Sequence, residues 1–262
     1  QDAKAHNNLG IIMKELGRLE DAEASYKQAI KLKPELAEAH SNLGFIMQEI
    51  GRLEEACSAF TQAVNLKPDF TDAYANLAFV IKNVRFTSSN IKFYPPLIYL
   101  LNNGNYIRPS DLAPSILSLL KHDPLIKDLL LEENFATNLE EANSIISRLD
   151  KLTLLHQIMR VCKLPDLQFE KFFQSMRSLF ITNLDNFEAN PEFIHFLSSL
   201  SLHCFTNEYI YIEKDEETKL VKNLETEITQ TISRSEQPEA KKILCLASYR
   251  QLNQYNWIQK LK

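Results

Sequence analysis

Two stretches, Ala5-His6-Asn7-Asn8-Leu9-Gly10 and Ala39-His40-Ser41-Asn42-Leu43-Gly44, share the pattern Ala-His-x-Asn-Leu-Gly, and Gly17-Arg18-Leu19-Glu20 recurs unchanged at Gly51-Arg52-Leu53-Glu54. Both pairs are offset by 34 residues. Between these signatures Ala22, Tyr26, Ala29 and Pro34 return at the same offset as Ala56, Phe60, Ala63 and Pro68. The residue types follow from packing two antiparallel helices. Glycine and alanine allow close approach, an aromatic side chain fills the gap to the next pair, and proline ends the second helix. A third copy starts at Thr71-Asp72-Ala73-Tyr74-Ala75-Asn76-Leu77-Ala78 and fails at the turn, where Arg85 replaces Gly17 and Gly51.

A 34-residue helix–turn–helix period with these residues is the tetratricopeptide-repeat pattern. The expected fold is therefore all-α: an α-solenoid of two full repeats and a partial third over residues 1–85, continuing over 86–262 into a helical bundle. Each repeat leaves one apolar face open, and the downstream helices are the expected cap. Apolar spacing and capping signals such as Ser110-Asp111, Asp123-Pro124 and Asn190-Pro191 place those helices near 93–103, 111–121, 124–133, 139–162, 166–183, 191–211, 216–234 and 238–250. Only Ile210-Tyr211-Ile212 has strand character. The stripes Phe172, Phe173, Met176, Leu179, Phe180 and Phe193, Phe196, Leu197, Leu200, Cys204 read as core.

Composition excludes several chemistries. The chain has 5 glycines in 262 residues, the last at Gly104. A dinucleotide fingerprint or phosphate-binding loop needs residues without Cβ where backbone amides meet a phosphate, so no cofactor and no catalytic site is expected in this chain. Lys plus Arg total 29 against 34 Asp plus Glu, a net charge of −5 without a basic stripe, which argues against nucleic-acid binding. Cys57, Cys162, Cys204 and Cys245 lack metal-ligand spacing and read as reduced buried thiols of a cytoplasmic protein. No apolar run is long enough to predict a membrane span. The first residue is Gln1 and the last helical stretch runs into Lys262, which suggests an excerpt from a longer protein.

The candidate binding residues come from the repeat register. Asn8, Asn42 and Asn76 occupy position six of each first helix, on the face that a repeat superhelix turns toward its groove. A row of carboxamides can pair with the backbone of an extended peptide whatever its sequence. Lys14, Glu15, Gln48, Glu49, Lys82 and Asn83 are expected on the same face, with mixed charge. His203-Cys204 with Glu208 contains the groups of a Cys/His mechanism, but helical geometry separates them, and tying the helix to its neighbours is the expected role. Glu140-Glu141 and Asp215-Glu216-Glu217 read as first-turn carboxylates that favour the helix dipole.

The asparagine row resembles that of the repeats in O-linked N-acetylglucosamine transferases. Beyond the repeats, Arg85-Phe86-Thr87-Ser88-Ser89-Asn90, Ile116-Leu117-Ser118-Leu119-Leu120-Lys121-His122-Asp123-Pro124-Leu125, Leu164-Pro165-Asp166, Cys204-Phe205-Thr206-Asn207-Glu208-Tyr209 and Leu246-Ala247-Ser248-Tyr249-Arg250 resemble the helical region of bacterial tetratricopeptide-repeat methyltransferases. Gln251 departs from the proline expected after the Tyr-Arg pair. That resemblance implies a protein- or peptide-binding and positioning role beside a covalently following methyltransferase domain, which would hold S-adenosylmethionine. The alternatives are the accessory region of a glycosyltransferase resembling the O-linked N-acetylglucosamine enzymes, and a non-enzymatic assembly scaffold.

Overall fold

The computed structural model describes residues 2–131, 139–209 and 211–261. These residues are all-α, with thirteen α-helices and no strand among them. Two compact units divide the chain, Gln1–Leu119 and Leu120–Lys262.

In the first unit α1 (Ala3–Glu15) pairs with α2 (Leu19–Leu32), and α3 (Ala37–Glu49) with α4 (Leu53–Leu66). Each pair closes over the same contact. A Cβ on Gly10 would lie 2.5 Å from the Tyr26 ring, and one on Gly44 would lie 2.9 Å from the Phe60 ring. The turns are also equivalent: Gly17 and Gly51 have φ of +74° and +82°. Arg18 N–H donates to Met13 at 2.9 Å, and Arg52 N–H to Met47 at 2.8 Å, so each turn caps the preceding helix. Lys33 and Lys67 end the second helices, immediately before Pro34 and Pro68.

The third copy supplies only its first helix, α5 (Thr71–Ile81). Arg85, at the register of the turn glycines, is not left-handed; its guanidinium donates to the carbonyl of Val84 and the hydroxyl of Ser115. No second repeat helix follows α5 among the described residues; α6 (Tyr94–Asn102) touches α5 through its Tyr99 ring, which stacks on Tyr74 at 4.1 Å. Within α7 (Pro109–Leu120), the Ser115 hydroxyl donates to the Ile81 carbonyl at 2.6 Å, and Ser118 Oγ accepts from Phe86 N–H at 2.9 Å. The residue-85 boundary expected from the repeat lies inside this unit, between α5 and α6.

The second unit contains α8 (Leu139–Asp150), α9 (Thr153–Val161), α10 (Leu167–Asn183), α11 (Pro191–Thr206), α12 (Asp215–Ser233) and α13 (Ala240–Ala247). The helix expected over 139–162 is two helices, because the chain turns at Lys151-Leu152 and a side chain of α9 takes up the Leu149 carbonyl. Residues 124–131 form successive turns instead of the expected α-helix, with Asp123 Oδ1 accepting from Leu125 N–H; residues 132 and 133 of that expected helix lie outside the described residues. Tyr211 and Ile212 form no strand, and Ile210 lies outside the described residues. Asn190 and Asp166 cap α11 and α10 as their residue types suggest. Apart from the half-buried Leu179, the expected stripes face the core, where Phe180 packs edge-on with Phe187, Phe193 and Phe196. With no glycine available, Glu208, Tyr209 and Ser235 take the left-handed conformations that end α11 and α12.

Gly44→Ala is expected to destabilise the chain by about 1–3 kcal/mol through overpacking against Phe60. Adding Phe60→Leu to that variant should restore part of the loss, read from urea midpoints of the single and double variants.

Candidate functional site

Asn8, Asn42 and Asn76 stand at one register on α1, α3 and α5, and these three helices pack in series. Asn8 is exposed, and the other two are half-buried. Asn42 Nδ2 donates to Asn7 Oδ1 at 3.0 Å, so part of its hydrogen-bonding capacity ties adjacent repeats together. One turn further along, Lys14 places Nζ 4.5 Å from the centre of the Phe45 ring, and Lys82 places Nζ 4.9 Å from that of Phe79. Ile11, Phe45 and Phe79 therefore form an apolar row beside the asparagines at the same 34-residue offset, a signal present in the sequence and not used above. Glu15, Glu49 and Asn83 are exposed, and Asn83 Nδ2 donates back to the Phe79 carbonyl at 3.5 Å.

Gln48 differs from its neighbours. It holds the register of Lys14 and Lys82 on the middle helix, and its Oε1 is buried with no hydrogen-bond donor among the described residues. Such an acceptor costs about 1–3 kcal/mol relative to a satisfied one. Beyond it, Ala75, Ala78, Phe79 and Lys82 of α5 line a pocket of about 450 Å³ with Tyr106 and Arg108 from the loop before α7. The loop lies outside the repeat, so no register argument could have found its residues.

The second unit separates the groups of the suspected Cys/His mechanism. His203 is buried, with Nε2 2.8 Å from the Tyr211 hydroxyl. Cys204 is buried too, and burial pushes its thiol up to about 12. Glu208 is exposed and pairs with Lys163 at 2.7 Å. Glu217 lies in the first turn of α12, as read from sequence, and is also buried 3.9 Å from the buried Arg177 guanidinium, accepting from the Tyr249 hydroxyl at 3.2 Å.

One cluster had no local sequence signal because His195 is far in the chain from its other two members: Asp150, His156 and His195 bring potential ligand atoms within 4.8 Å of one another. The geometry suits hydrogen bonding better than an ion. The two imidazoles stack at 4.2 Å with planes 16° apart, so their in-plane lone pairs do not converge. His156 Nε2 donates to the Leu149 carbonyl at 3.1 Å, its Nδ1 faces Ser199 Oγ at 2.8 Å, and His195 Nδ1 holds Asp150 at 2.6 Å.

Among known families, residues 12–51 match the one described as TPR repeat, and residues 37–70 match the one described as Tetratricopeptide repeat. These matches and the paired helices make this segment a run of tetratricopeptide repeats, a class of protein-binding module. No curated protein sequence matches the chain. No described helix is long and apolar enough to cross a membrane.

Burial, reinforced by His195, lowers His156 to about 4, and burial lowers His203 to about 4, against 6.5 for a free imidazole. Between these values the unfolded chain binds more protons than the folded one, so stability falls as pH drops from 6.5 towards 4 and is unaffected by these groups above that window. The expected loss by pH 4.5 is about 2–3 kcal/mol for each histidine. Urea midpoints across the window measure it, and His156→Gln/His203→Gln should show a flatter profile.

Proposed function

We propose that the chain is a peptide- or protein-binding module, and that the shared face of α1, α3 and α5 receives an extended segment of the partner. The observation that carries this reading is the common register of Asn8, Asn42 and Asn76 on three helices that pack in series. An extended peptide presents backbone N–H and C=O groups with which a row of carboxamides can pair. Asn8, Asn42 and Asn76 supply further donors and acceptors, and Lys14, Glu15, Glu49, Lys82 and Asn83 border them with mixed charge. The face is suited to capture rather than to chemistry.

A finer reading concerns what the module serves. The likeness of the helical region to tetratricopeptide-repeat methyltransferases supports a role in positioning a substrate for a following methyltransferase domain, to which S-adenosylmethionine would belong. Tethering a weak ligand beside such a domain raises its effective concentration to about the millimolar range. Four free, buried cysteines support a cytoplasmic setting. Reading the coding sequence past Lys262 tests this: a strand followed by G-x-G-x-G supports methyl transfer. A glycosyltransferase domain or a stop codon sinks it and leaves the accessory or scaffold reading.

Gln48→Leu separates binding from folding. Removing the orphan acceptor should leave stability unchanged or raise it, while affinity for peptides selected on the wild-type chain drops about tenfold, the worth of one buried hydrogen bond. Fluorescence anisotropy and thermal melts read the two effects, and unchanged affinity for every selected peptide would place the ligand elsewhere.

A further inference from the structure

We propose that the third repeat ends this groove in an anchor pocket that takes a large apolar side chain of the bound peptide with a carboxylate next to it. The inference deepens the groove reading above and rests on it.

Comparing the three first helices shows why a pocket opens at this repeat. The register held by Asn7 and Ser41 is Ala75 in α5, and Ala78 adds a second small residue one turn on. The neighbouring register, Ile11 and Phe45 in the earlier repeats, is Phe79, which is 57% exposed. Opposite these residues the chain has no second repeat helix. Instead, the loop before α7 supplies Tyr106 and Arg108 as the far wall of the 450 Å³ pocket. Tyr106 belongs to an aromatic cluster, 6.1 Å from Tyr74 and 6.2 Å from Tyr99, which themselves stack at 4.1 Å. The wall is thus fixed before a ligand arrives, which reduces the ordering cost of binding.

An exposed phenylalanine beside two alanines and a fixed tyrosine presents apolar surface to a large side chain. Charge selects its neighbour. Lys82 lies over the Phe79 ring with no carboxylate at ion-pair distance among the described residues. Arg108 and Asp111 also line the pocket and pair with each other at 3.2 Å, which leaves Lys82 as the unpaired charge there. The unmatched positive charge sits at the edge of the apolar wall, where an acidic residue adjacent to the anchor meets it. This supplies what the asparagine row lacks: backbone pairing accepts any sequence, and an anchor pocket reads one residue of it.

The test uses the full chain and short acetylated peptides of Asn, Ser and Ala carrying a central Trp-Asp, Ala-Asp or Trp-Lys pair, titrated by fluorescence anisotropy. Trp-Asp peptides are expected to bind about tenfold tighter than either control. Ala75→Phe, which fills the pocket from an exposed position, should remove the preference for Trp over Ala. Lys82→Glu should reverse the preference for Asp over Lys. Thermal melts establish that both variants fold. Equal affinity for Trp and Ala peptides, or a Trp preference that survives Ala75→Phe, overturns the pocket and leaves the groove standing. A Trp preference without preference for Asp overturns the acidic half of the proposal. If none of the peptides binds, and none from a random library binds either, the groove reading falls and takes the pocket with it.

Discussion

The closeness of each helix pair in the first unit is set by one contact repeated twice: the backbone of Gly10 against the Tyr26 ring, and that of Gly44 against Phe60. No other residue leaves room there. Because both pairs close by the same contact and turn through the same left-handed glycine, they stack at constant offset, and residues 34 apart return to one face. The asparagine row, the apolar row and Gln48 are aligned by that constraint, and the Asn42–Asn7 hydrogen bond adds a tie between adjacent repeats.

Where the turn glycine is lost, the architecture changes. Arg85 cannot take the left-handed turn cheaply, so α5 ends in hydrogen bonds to Ser115 and packs on α6 through Tyr74 and Tyr99. Before the break in the repeat Phe79 stays exposed, with Tyr106 lining the same pocket.

The second unit relies on a different device. Arg177 is buried, lies 4.2 Å from the Tyr249 ring centre, donates to the Tyr211 and Ile212 carbonyls, and faces Glu217. It joins α10, α12 and the segments beside them through one side chain. A buried pair of this kind is costly to break because a lone charge would remain, although by itself it is weak evidence of net stability. Buried His156 and His203, each lowered by desolvation, add a second group of polar ties that acid weakens.

The sequence by itself determined the all-α class, the repeat period, the glycine turns and the register of Asn8, Asn42 and Asn76, since these follow from local spacing and backbone sterics. It also pointed to the cap at Asn190, which needs only a side chain and the amides just after it. Tertiary structure decided the rest. The burial of Glu217 against Arg177, the approach of His195 to Asp150 and His156, and the Tyr106 wall join residues distant in sequence. Periodicity cannot reveal them, because a helix pattern records which face is apolar and not which neighbour that face will meet.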